Sequence, residues 1–102
     1  MRSRLELHEI LCDILGSRNV YFQPPSNVSM RYPAIVYSLS DIENKHANDG
    51  VYSFTNQYQI TLIDRDPETE VVYRINQIPS ANFIRSYSAA DNLNHWVFEV
   101  LY

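Results

Sequence analysis

Residues 52–78 constrain the fold most. A long strand over 52–63 runs through Asp64-Arg65-Asp66-Pro67 straight into a short helix, with no glycine, cysteine cluster or ligand loop between them. Tyr58, Ile60 and Leu62 alternate with Gln57, Gln59 and Thr61, a period of two that buries one face of a strand. Ile63 breaks the alternation, so the second face is expected to be covered at that end. Asp66 suits the N-cap, and Pro67 the first helical position, where its missing N–H is no loss. Val71, Val72, Ile75 and Ile78 then recur at helical spacing, predicting a helix over 67–77. Such a segment is scaffold rather than a reaction centre.

The chain of 102 residues predicts a single domain spanning 1–102, with one modest core. Before the first strand, Ser3 and Glu6 have capping-box spacing and Gly16 offers a stop. Between them Leu7, Ile10, Leu11, Ile14 and Leu15 make a core-facing stripe, predicting a helix over 4–15. Residues 19–23 read as a short strand ended by Pro24-Pro25, which places it at a sheet edge because proline cannot donate to a ladder. Strands are predicted over 34–40 and 51–63, joined as a long antiparallel hairpin by the polar segment 41–50, whose Asp49-Gly50 is a turn pair. Strands over 82–88 and 95–101, separated by Ala89-Ala90-Asp91-Asn92, complete the order α-β-β-β-α-β-β. The expected class is α+β: a mixed, mainly antiparallel sheet of four to five strands flanked by two helices.

The candidate chemistry is sparse. Asp64, Asp66, Glu68 and Glu70 alternate like a calcium loop, but Thr69 stands where an EF-hand needs glycine and Ile75 where it needs glutamate. These acids read better as groups favoured at the positive end of a helix dipole. His8, His46 and His95 share no ligand spacing, and the one cysteine has no cysteine partner. Cys12 lies in an apolar helical run and reads as a small buried hydrophobe rather than an activated thiol. With no phosphate loop, dinucleotide fingerprint or nucleophile elbow, the expectation is a protein that is not an enzyme, with no catalytic, metal or cofactor site. A formal charge of −4, with Lys45 the only lysine, argues against a nucleic-acid surface. The first apolar run is broken by Glu6, His8, Glu9 and Asp13, so neither a signal peptide nor a membrane span is expected, and synthesis is expected in the cytoplasm.

Four blocks in order carry a resemblance: Asn19-Val20-Tyr21-Phe22-Gln23-Pro24-Pro25, Tyr32-Pro33-Ala34-Ile35-Val36-Tyr37, Tyr58-Gln59-Ile60-Thr61-Leu62-Ile63-Asp64 and Asp91-Asn92-Leu93-Asn94-His95. Together they resemble small proteins encoded among the head–tail connection genes of tailed phages of Gram-positive bacteria. These are similar to siphophage tail terminators, also called tail completion or tail-to-head joining proteins. The resemblance implies a virion protein of the tail and neck, made in the host bacterial cytoplasm. It implies a homo-oligomer, a hexameric ring that caps the tail tube and meets the head connector or stopper protein. It carries over no catalytic residue. An acidic ring would let DNA pass through its channel without gripping it. A head-closure or neck connector protein, and a small monomeric host-directed binding protein, are the alternatives.

Subunit contacts are expected where apolar sheet surface is left over. Trp96, Phe98 and Val100 share one face of the last strand, while Val97 and Leu101 occupy the other. Tyr52 and Phe54, taken as one register step from the core set, are expected on the outward face. The interface set is therefore Tyr52, Phe54, Trp96 and Phe98. Eight tyrosines suit such contacts, since each joins a large ring to a polar tip. Segment 41–50, with Ile42, Lys45 and His46, is expected to be a mobile arm that reaches a neighbouring subunit or ring.

Overall fold

The computed structural model describes residues 3–47 and 50–102, with side chains except at 46, 47 and 50–53. Two helices lie on one face of a five-stranded mixed sheet, an α+β arrangement, with α1 at Arg4–Leu15 and α2 at Val71–Asn76. The strands β1 (Val20–Phe22), β2 (Ala34–Ala47), β3 (Gly50–Asp64), β4 (Asn82–Ala89) and β5 (Leu93–Leu101) stand in the order β1-β2-β3-β5-β4. Only β1 and β2 are parallel. β2–β3 and β4–β5 are joined by short antiparallel connections, β5 returns past α2 and β4 to lie antiparallel beside β3, and β1 reaches β2 from an edge, where Pro24-Pro25 ends it. Gln23 then extends that edge: its side-chain oxygen accepts from the Leu39 amide at 3.3 Å.

Helix α1 starts and stops where its sequence directs. Ser3 Oγ accepts from the Leu5 amide at 3.1 Å, and Gly16, at φ 81°, turns its N–H back to the Cys12 carbonyl. Leu7, Leu11, Cys12 and Leu15 are buried against Ile35, Tyr37, Tyr58, Ile60, Leu62, Phe98 and Val100 of the sheet. Val71, Ile75 and Ile78 close the other end of this core. On the opposite face Ala34, Ile63 and Val97, from three adjacent strands, are also buried, so the covered end expected from Ile63 is present.

Helix α2 departs from expectation at its start. Asp66 does not cap it: Asp66 Oδ1 accepts from the Glu68 amide, and Asp64 Oδ1 from the Asp66 amide, so the two acids shape successive turns. The N-cap position falls to Glu70, whose side chain makes no capping bond; the buried Thr69 just before it accepts from the Val71 amide at 3.3 Å, and the helix runs over six residues. Short polar side chains take up nearby amides, and the last of the three, Thr69, bonds the first helical one.

The segment 41–50 is also corrected. Residues 41–47 continue β2 and ladder with β3 through Ala47↔Gly50, so the expected loop is mostly a two-stranded ribbon. β3 alone, at ~3.3 Å for each of its residues, spans about 50 Å. That matches the 52 Å long axis of a molecule 27 by 23 Å across. β5 pairs with β3 only from Gln57 onward and β1 with β2 only at Ile35–Tyr37, so the ribbon has no further strand beside it. His46 keeps its place on β2, but its side chain lies outside the described residues, as does that of Tyr52 on β3.

An uncovered two-stranded ribbon holds itself weakly and opens locally before the sheet does. A lysine-specific protease is expected to cut once, at the exposed Lys45, while circular dichroism of the product stays that of a folded domain. Survival of Lys45 at protease levels that degrade the whole domain would show that the ribbon is no weaker than the core.

Candidate interaction surface

One part-buried polar cluster links α1 to the sheet. Tyr37 is fully buried, yet its hydroxyl oxygen accepts from Arg4 Nη1 at 3.0 Å and lies 2.8 Å from His8 Nδ1. A neutral imidazole at His8 can accept the phenol proton at Nδ1 while Arg4 donates to the oxygen. Burial lowers the His8 pKa below 6.5, and the charges of Arg18 and Arg4 lower it further. The cluster ties the helix to the sheet and offers no open site.

Because His8 titrates lower in the folded chain than in the unfolded one, acid makes the unfolded state bind more protons. The stability held by neutral His8 is complete above its ordinary value of 6.5 and is lost as pH falls below it. The melting temperature should therefore drop between about pH 7.5 and about pH 5, and His8→Gln should flatten part of that slope. An unchanged slope in the variant would remove His8 from the account.

No three His, Cys, Asp or Glu side chains among the described residues come together as metal ligands. Cys12 is buried, which raises its thiol pKa and disfavours the thiolate a nucleophile needs. Asp64 and Asp66 spend an oxygen each on backbone amides. Calcium or zinc at micromolar concentration is expected to leave the melting temperature unchanged; a shift of several degrees would mean that these acids hold an ion.

The uncommitted surface is apolar and lies around β4. This strand is an edge, exposed along its whole length, with Phe83, Ile84 and Tyr87 among its exposed apolar residues. Between β4 and α2 an open groove of about 300 Å³ is lined by Val72, Tyr73, Asn76, Phe83, Ser86, Trp96 and Phe98. Tyr73 stands at its rim, 69% exposed. α2 is too short to cover the sheet out to β4, which leaves Phe83 and Trp96 half open.

The expected interface set divides. Phe98 is fully buried beneath the groove, edge-on to Phe83 with ring centroids 5.4 Å apart, and belongs to the core. Facing Ile60 across a ladder with β4 on its other side, it has no exposed surface to offer a subunit. Trp96 is half-buried in the groove wall, and Phe54 is exposed. The placement of Phe54 needs a correction of its own. Phe54, Asn56, Tyr58, Ile60 and Leu62 share one face of β3, so Phe54 continues the core face rather than turning away from it. It is exposed because the helices end before it. Leu39 and Ile42, opposite Tyr58 and Asn56, join it on that face, while Asp41, Glu43 and Lys45 occupy the other. The ribbon is thus amphipathic and has no layer on its apolar side.

The domain is defined by this sheet, its helices on one face, its open edge and its projecting ribbon. The chain matches no protein-family model, no curated protein and no solved structure. Among the described residues no helix is long and apolar enough to cross a membrane.

Proposed function

We propose that this chain is a structural virion protein of a tailed phage, a tail terminator that forms a ring, caps the tail tube and joins it to the head connector. The observation that carries the reading is the free β4 edge and its apolar groove on a domain that also extends an amphipathic ribbon. A small domain that leaves this much apolar surface open is suited to association. The resemblance of the four sequence blocks to tail terminators selects that role among assembly proteins. Lys45 and seven arginines against twelve acids suit a channel that DNA crosses without being gripped.

The test is to polymerise a siphophage tail-tube protein, with and without this chain, and to view the tubes by electron microscopy. A terminator stops elongation and leaves a ring at one end. Tubes of unchanged length with bare ends would reject the role, and binding to the head connector alone would favour a neck connector.

A further inference from the structure

We infer that the occupant of the β4 edge is the ribbon of a second copy of this chain, joined through its β2 strand. The inference rests on the assembly role proposed above but names a contact that can fail separately. Three observations converge on a second copy. The ribbon has a free outer edge along residues 41–47, and β4 has one along 85–89, past the bulge at Ile84 that interrupts regular pairing. Two such edges satisfy each other's backbone groups, the usual way an exposed strand is covered.

The faces then match. Ile42 and Phe54 lie on the ribbon's apolar face, and Phe83 and Ser86 on the groove side of β4, because they pair with Phe98 and Trp96 of the core face. Aligning the apolar strip with the groove turns Asp41 and Glu43 to the opposite face. Arg85 lies on that face of β4, since it pairs with Val97 rather than with a core-face residue. Asp41, Glu43 and Arg85 are in no ion pair among the described residues, and Arg85 is the only charged residue of β4. One placement thus satisfies the backbone edge, the apolar strip and the charges.

The contact is heterologous, ribbon into groove, so repetition closes a ring or grows a filament. That predicts a result that a contact between identical patches cannot give. Phe54→Asp spoils the ribbon, and Tyr73→Asp spoils the rim of the groove; both residues are exposed, so both variants should fold. Each alone should lower self-association about tenfold or more. Mixed, they should form a one-to-one heterodimer and nothing larger, because one intact ribbon meets one intact groove. Ser86→Arg, filling the groove from β4, serves as a second groove variant.

Glu43→Arg and Arg85→Glu should each weaken assembly a few-fold, and the double variant should recover it. Native mass spectrometry, with and without tail-tube protein, reads all of these. Assembly of wild type without a heterodimer in the mixture overturns the contact, as does a wild type that stays monomeric under both conditions. If Tyr73→Asp forms normal rings but loses the tube, the groove belongs to the tube protein and the inference is wrong. Capping by wild type is scored separately, so a failed contact leaves the proposed role standing, and a failed role leaves the contact measurable.

Discussion

Phe98→Ala is expected to destabilise the domain by about 3–5 kcal/mol, the usual cost of emptying a buried phenylalanine site. Phe98 is fully buried, faces Ile60 across the β3–β5 ladder and meets Phe83 edge-on. The groove above it is open to solvent, so water or a shifted Phe83 could fill part of the cavity and hold the loss toward the lower end. Because small domains have a total stability of roughly 5–15 kcal/mol, the variant should unfold at much lower urea and pass for an assembly defect in any screen that reads assembly alone. Urea titration followed by circular dichroism separates the two. A loss below about 1 kcal/mol would return Phe98 to the surface.

Phe54→Asp is expected to do the reverse: retain the fold and lose the ring. Phe54 is 41% exposed on a ribbon that no helix covers, so a carboxylate there meets water in the free chain and should leave the melting temperature nearly unchanged. In a ring the same side chain would be buried. Removing an aromatic contact of about 1.5–3 kcal/mol and burying a charge in its place penalises every subunit boundary at once. Persistence of rings, or an unfolded variant, would place Phe54 on the wrong surface.

The contrast between these phenylalanines shows what the sequence made legible. Alternation in residues 57–62, the two ends of α1 at Ser3 and Gly16 and the Pro24-Pro25 edge each rest on local chemistry, and the structure places all three as read, although Ser3 accepts from Leu5 and Glu6 bonds Tyr102 rather than closing a capping box. Periodicity identifies a face but not how far the covering layer reaches. Phe54 and Phe98 both lie on the core face; only the lengths and positions of α1 and α2 decide that one is open and the other sealed. The same gap hid the groove, which forms where a helix of six residues stops short of β4. The ribbon was misread for a related reason. Polar side chains over 41–45 resemble a loop, yet a two-stranded ladder with nothing packed on it can be polar on one side and sparsely apolar on the other. The early start given to α2 reflects three nearby polar side chains, Asp64, Asp66 and Thr69, each of which can take an amide at the start of a turn.

Native mass spectrometry of the purified chain, alone and with tail-tube protein, tests the central claim most directly. The account predicts a closed ring of six copies in at least one of the two conditions, dissociating to folded monomers when Phe54 is replaced by aspartate. A chain that remains monomeric in both would contradict it.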